Sequence, residues 1–514
     1  MPRIRGEVVL LAFIALIAGA ALLDEARSHP DILLEHFTLA DAFRTPVTHI
    51  SNTRSAKKGT VILVHGSQCN KSMMVQLGKA LAQQGLDAYA IDLPGHGASR
   101  ATFTLEKSHE AVRSAVSRLI TMSGMEDSRV ILIGHSFGAT VIGPIALDRP
   151  NIAASIYLGP GEVKALQRDA PRNVMILTAQ HDYEHIKRYA REAYHDLTQE
   201  IDSKRFNHVH GDLALGVGRT WAEMPDTNHL SLIYNGEVYR LVEQWIEGAL
   251  DIQLTPAPFS AKMALLSLLF PLAISVVAAS LLSKLLWRRG VEPMPRFGRA
   301  LQPFLVYCYA LIVGTILSAF VARIKFLRLL EGEILVAFLT SIGIVGIVVS
   351  IAIAEKRSAY GGMNMLKGAV LAASTFLVLY LCVDFFIASE IYYASFPVAH
   401  YGRMFAFFSS FICLLPFFLF NEEARCYFID ASKTGWWGVC ISAITCVTFN
   451  AGCLGILMFL GVGLGRFAGA VFIMTVYCLI VASIFYRITR SVIPGTVFNT
   501  LVAAWLISVG FAYY

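Results

Sequence analysis

The sequence predicts two fold classes in one chain, an α/β domain followed by an all-α multi-span membrane domain. Three observations carry that division. In the first 250 residues, short apolar runs such as Val61-Ile62-Leu63-Val64 and Val130-Ile131-Leu132-Ile133 have the length and bounding turns of buried strands. The second run leads directly through Gly134-His135-Ser136-Phe137-Gly138 into the helix-like Ala139-Thr140-Val141-Ile142. Over the whole chain 55% of the 514 residues are hydrophobic, and the excess lies after residue 260, which is too apolar for one soluble domain.

Gly134 to Gly138 is a G-x-S-x-G motif at a strand-to-helix junction, the nucleophile elbow of a serine hydrolase. The turn is so tight that a side chain at either glycine would collide with its neighbours, and the strained backbone pushes the Ser136 hydroxyl out over the end of a sheet. Upstream, the strand Val61 to Val64 ends in His65-Gly66, and the loop after such a strand supplies one N–H of an oxyanion hole. The expected donors are the Ser67 and Phe137 N–H groups. Tyr89-Ala90-Ile91-Asp92 then leads into Leu93-Pro94-Gly95-His96-Gly97-Ala98-Ser99. With His-Gly and G-x-S-x-G, this combination closely resembles the α/β-hydrolase superfamily, over roughly residues 30 to 250.

The resemblance implies a doubly wound sheet and a triad in the chain order Ser, acid, His. Val174-Met175-Ile176-Leu177-Thr178 reads as a strand, and the loop after it carries Asp182. Met224-Pro225-Asp226-Thr227-Asn228 leads to His229, before a helix with Val238, Leu241, Val242, Trp245 and Ile246 on one face. A serine hydroxyl is a poor nucleophile at neutral pH unless a base takes its proton, and an imidazole titrates in the right range. Asp182 would hold the His229 ring in the right tautomer and stabilise its protonated form. The expected product is an acyl-enzyme on Ser136.

Competing roles exist for several of these residues. Asp182 could instead cap the helix that begins near Tyr183, with Glu162 as the alternative acid. His208 and His210 rival His229 as base, but no sheet-ending pattern precedes them and no closing helix follows. His65, Gly66 and His135 are candidates for the pocket wall, with solvent exposure the alternative for His135. His96 and Ser99 read as turn residues that satisfy backbone groups, and Cys69 as a packing residue. Pro144 should kink or shorten the helix after the elbow. About fourteen residues separate the strand ending at Leu158 from the one starting near Asn173, so the cap is minimal and the site is expected to be open.

In the second half, membrane spans are expected at about 263 to 283, 303 to 322, 334 to 354, 368 to 388, 404 to 420, 437 to 460, 467 to 486 and 492 to 513. Each approaches the ~20 residues needed to cross the hydrocarbon layer. The domains are therefore 1–24, 25–258 and 259–514, the first being a membrane anchor or a signal peptide cleaved near Ala18-Gly19-Ala20. The densest basic loop of the membrane half, with Lys284, Arg288, Arg289, Arg296 and Arg299, follows the first span after the α/β domain. Counting alternate loops from there, the positive-inside rule puts the α/β domain on the extracytoplasmic face of the cell membrane. These loops account for the formal charge of +6 without a nucleic-acid partner.

Eight of the nine cysteines lie in the membrane half, so the α/β domain has no disulfide framework. No Cys/His cluster has metal-ligand spacing and no glycine-rich loop would cradle a phosphate, so neither metal nor cofactor is expected. Asp384 is the clearest ionisable residue inside an expected span and a functional candidate for that reason, with Asn450 and Asn499 as milder cases. Asn421-Glu422-Glu423-Ala424-Arg425 faintly resembles the paired-glutamate motif of CAAX-type intramembrane proteases. Its spacing is too short and no intramembrane His follows, so it reads as a capping and ion-pair cluster.

The setting bears on the substrate. Asp251 to Lys262 spans at most ~3.5 Å per residue, which tethers the domain close to the bilayer. An open serine site there suits an acyl ester of a lipid or a lipid-linked group. Two other readings stay open: an acyltransferase using the same three residues, and a catalytically silent sensor or partner module of a transporter.

Overall fold

The computed structural model describes residues 16–17, 19–20, 31–254 apart from 164–165, 167–169 and 199–207, and 269–514 apart from 288–301, 326, 354–361, 387–400, 432–435 and 460–467. Most of the N-terminal apolar run and of the tether lies outside the described residues. The chain forms two units, whose main parts are Gly19–Leu268 in one and Leu269–Val383 with Phe396–Phe511 in the other.

The first unit is built on an eight-stranded sheet of order β1-β2-β4-β3-β5-β6-β7-β8. Its strands are β1 Ile32–Thr38, β2 Pro46–Asn52, β3 Gly59–Val64, β4 Leu86–Ile91, β5 Val130–His135, β6 Ala154–Leu158, β7 Val174–His181 and β8 Arg219–Asn228. Pairing is antiparallel for β1 with β2 and β2 with β4, and parallel from β4 onwards. The central strands β3, β4, β5 and β6 are buried along their whole length, which is why they read as continuous apolar runs rather than alternating ones. Helices α1 Val75–Gln83, α2 Leu105–Ser123, α3 Phe137–Asp148, α4 Glu184–Thr198 and α5 Gly236–Leu250 complete the unit.

Local chemistry sets the helix ends. The Thr104 hydroxyl accepts the Lys107 N–H at the start of α2, and the helix stops at left-handed Gly124. Asn235 caps α5 by accepting the Glu237 and Val238 N–H groups. That helix then buries Val238, Val242, Trp245 and Ile246, the face expected of a closing helix. Helix α3 continues through Pro144 to Asp148, so the proline does not shorten it. Its buried face, with Val141, Ile142 and Ile145 fully enclosed, offsets the one hydrogen bond the proline removes.

All parallel strands point the same way, so the loops after β3, β4, β5, β7 and β8 share one end of the sheet. In open α/β sheets this carboxyl end is where sites form.

The second unit is helical: α6 Leu269–Leu286, α7 Gln302–Val321, α8 Gly332–Ile353, α9 Gly362–Phe386, α10 Tyr401–Ala431, α11 Trp436–Phe459, α12 Ala468–Thr489 and α13 Ile493–Gly510. Among the described residues, six stretches are long and apolar enough to cross a membrane: Leu269–Leu286, Gly332–Ala352, Met365–Asp384, Gly402–Cys426, Val471–Thr489 and Ile493–Gly510. The two other expected spans fall on α7 and α11, where the described apolar stretches, Leu305–Val321 and Cys446–Leu457, are shorter. Asp384 lies on α9, two residues before Phe386.

A polar knot joins several of these helices. Arg425 on α10 forms a buried ion pair with Glu422 one turn earlier and donates to Ser483 Oγ on α12 at 2.9 Å. Asn499 on α13 donates to Glu422 Oε1 at 3.1 Å, and Tyr307 on α7 donates to Asn421 Oδ1 at 3.0 Å. The Asn421 amide in turn reaches Asn450 on α11 at 3.4 Å. Paired and hydrogen-bonded groups of this kind are the tolerable form of charge inside a helical membrane unit.

Candidate active site

Ser136 stands between the last residue of β5 and the first of α3, with φ 53° and ψ −115°. Non-glycine residues rarely adopt this conformation, and such strain persists only where the surroundings enforce it. Here they do. The Ser136 N–H donates to Leu158 O at 2.9 Å, and its carbonyl accepts the Ala139 N–H at 3.1 Å and the Gly161 N–H at 3.3 Å. The motif glycines are needed for close approach. A Cβ on Gly134 would meet the backbone of Gly138 and Ala139 at 2.6 Å, and one on Gly138 would strike the Val64 and His65 carbonyls.

The Asp182 carboxylate, after β7, accepts from His229 Nδ1, after β8, at 2.8 Å. It also accepts the Tyr183 N–H at 2.9 Å and the Ala179 N–H at 3.3 Å. Burial works to raise the carboxyl's pKa, but the His229 contact and the two backbone N–H groups outweigh it and hold Asp182 below the usual carboxylate range. Because Nδ1 is the donor to a carboxylate, Nε2 is left as the basic nitrogen of neutral His229. Asp182 meets the Tyr183 N–H just ahead of α4, and it bonds the imidazole as well.

At the expected oxyanion loop, His65 Nδ1 donates to Gly66 O at 2.7 Å while its Nε2 accepts the Leu93 N–H at 3.1 Å. Those partners require the neutral Nδ1–H tautomer. Desolvation lowers the His65 pKa, against the pull of Asp92, which agrees with a neutral ring. Fixing the Gly66 carbonyl also fixes the Ser67 N–H, which points the opposite way across a planar trans peptide. The Phe137 N–H belongs to the first residue of α3, where no intrahelical acceptor exists.

The sequence profile of the alpha/beta hydrolase family matches residues 61–305. The chain carries an α/β-hydrolase domain. Among solved structures, a predicted CIB-like hydrolase from Thermoplasma acidophilum is 16% identical, covering 43% of this chain and 100% of its own, with a TM-score of 0.33. A monoacylglycerol lipase from Paleococcus ferrophilus is 15% identical, covering 42% and 99%, with a TM-score of 0.30. A soluble variant of monoglyceride lipase from Saccharomyces cerevisiae is 11% identical, covering 43% and 97%, with a TM-score of 0.33. No curated protein matches the chain.

Within the hydrolase domain, the remaining sequence candidates find distinct places. His65 and His135 are enclosed, and both bond backbone carbonyls. His96 bonds Pro94 O at 2.9 Å and the Ser99 hydroxyl accepts the Ala101 N–H at 3.4 Å, so both satisfy turn backbone as expected. Glu162 is exposed, and the imidazole is held by Asp182 instead. His210 pairs with Arg219 at the opening of β8, the end of that strand away from His229. Ser136 and His229 are each only 6% exposed. Gly159 lies against His229, and the Phe103 ring packs 5.6 Å from the Phe137 ring.

Two features escaped the sequence reading. Gly159, with φ 52°, is so close to the imidazole that a Cβ there would lie 3.1 Å from His229 Nδ1 and 3.4 Å from Asp182 Oδ2. The Gly159-Pro160-Gly161 turn was the available signal. The second is a buried ion pair: Lys71 Nζ meets Asp92 Oδ2 at 2.6 Å, while Asp92 also accepts the Lys71 N–H and the Ala98 N–H, each at 2.9 Å. It ties the loop after β3 to the loop after β4. Nothing in the local sequence around Lys71 announces a partner 21 residues away.

Proposed function

We propose that this protein is a membrane-bound serine hydrolase that cleaves a carboxylic ester through an acyl-enzyme on Ser136. The observation that carries the reading is the strained Ser136 turn at the same sheet end as a 2.8 Å Asp182–His229 hydrogen bond. His229 Nε2 takes the Ser136 proton as Oγ attacks the ester carbonyl, and Asp182 stabilises the imidazolium that forms. The negative charge that develops on the carbonyl oxygen faces the Ser67 and Phe137 N–H groups. Collapse breaks the bond to the alcohol, which leaves with the proton from His229. Water then attacks the acyl-Ser136, with His229 again as base, releasing the acid and restoring the serine.

The substrate is an acyl ester of a lipid or a lipid-linked group, presented at the extracytoplasmic membrane face. Three points support this: the six candidate spans, the positive charge concentrated on one set of loops, and the short Pro256- and Pro258-containing tether. Labelling of membranes with a fluorophosphonate, with Ser136→Ala as control, followed by a panel of lipids and soluble esters, tests the proposal. Labelling lost in the alanine variant and ester turnover in the panel are the expected results. Labelling that persists in Ser136→Ala rules out this nucleophile. A new ester, formed when an acceptor alcohol takes the acyl group from Ser136, in place of free acid would make the enzyme a transferase.

A further inference from the structure

We infer that His135 is a positioning residue that ties the backbone of the catalytic base to the nucleophile strand. This rests on the proposal that Ser136 and His229 react together.

His135 is the last residue of β5, immediately before Ser136, and is buried. Its Nε2 lies 3.0 Å from the His229 carbonyl oxygen, and the two imidazole rings are 5.0 Å apart at 42°. A carbonyl only accepts, so Nε2 must carry the proton and donate. The Nδ1 edge of the ring lies against Gly66: a Cβ there would be 3.0 Å from His135 Nδ1 and 2.9 Å from Ser136 Cβ. One imidazole therefore packs between the expected oxyanion loop and the His229 loop, while its own backbone belongs to the nucleophile strand.

The tie matters because of where its two ends sit. β5 lies inside the sheet, paired with β3 and β6, with His135 in register with Leu158. His229 follows β8, the edge strand three places away, and begins a loop that holds only the short helix Ser231–Tyr234 before α5. Asp182 fixes the imidazole ring, and His135 fixes the peptide that carries it. Proton transfer depends on holding His229 Nε2 against the serine hydroxyl, and a displacement of about 1 Å lowers turnover by about a hundredfold.

The test compares two substitutions of nearly equal length in the full-length protein. His135→Gln keeps an N–H at about the Nε2 position, and His135→Met removes it. The expected result is a kcat on a short soluble ester within about threefold of wild type for Gln and about tenfold to a hundredfold lower for Met, with KM and melting temperature alike in the two. Equal kcat in Met and wild type would overturn the assignment, as would equal losses in both folded variants, which would mark a packing role for the ring. If the Met variant does not fold, His135→Gln decides alone: retained kcat supports the tie and a loss beyond tenfold overturns it. Wild-type protein that neither labels nor turns over esters, or a labelled Ser136→Ala, would instead refute the serine mechanism itself.

Discussion

In the proposed mechanism, single residues divide into those that react and those that hold them in place. Ser136→Ala and His229→Ala should each remove nearly all ester turnover, and the double variant should lose little more, because nucleophile and base act as one unit. Steady-state kinetics of the three variants check this, and additive losses would contradict it. Gly159→Ala should also lower kcat, although Gly159 carries no chemistry. Its new Cβ would press on the His229 ring, and a left-handed conformation costs a non-glycine residue roughly 1–2 kcal/mol. Kinetics at unchanged expression would show it. This residue was illegible beforehand because its role is the space it leaves, whereas Ser136 and Asp182 stood out because each follows a strand whose pattern is written locally, and His229 because an amphipathic helix follows it.

Among the elements, the loops after β3 and β4 form one braced unit through His65, Lys71 and Asp92. The His65 pKa is lowered in the fold, so the unfolded chain takes up a proton that the native ring resists. The resulting stability is complete above the unfolded value of about 6.5 and is lost as the pH falls through the lower native value. Melting temperature should therefore drop as the pH falls from 7 to 5, and His65→Gln should flatten that dependence. An unchanged slope would contradict the assignment. Asp92, held low by Lys71 against the effect of burial, contributes in the same direction only in the more acidic carboxylate range. In the helical unit, Glu422→Gln leaves Arg425 buried without its carboxylate, which should cost roughly 3–5 kcal/mol. Thermal unfolding in detergent measures it, and an unchanged midpoint would show that the pair is not needed for stability. The pair itself could be read from the sequence because its members are one helical turn apart. Its partners Ser483 and Asn499 could not, since they arrive from other helices.

At the scale of the whole molecule, the change from buried strands to long apolar helices was visible in composition alone. β8 was not, since Pro225 and left-handed Asp226 interrupt its apolar pattern just before His229. A fragment of about residues 25 to 258 should fold and hydrolyse short esters, but lose far more activity on vesicle lipids, because the tether raises the effective concentration of a membrane substrate. Equal activity of fragment and full chain on vesicles would remove the case for a membrane-borne ester. External protease should cut between Asp24 and Pro258 in intact cells while the Lys284 to Arg299 loop stays protected, and the reverse pattern would place the chemistry in the cytoplasm. The most direct test of the central claim is peptide mass analysis of the full-length protein quenched during turnover of an activated ester. The account predicts an acyl adduct on the peptide that contains Ser136, absent from Ser136→Ala. Full turnover by Ser136→Ala, with no adduct on the wild-type peptide, would contradict it.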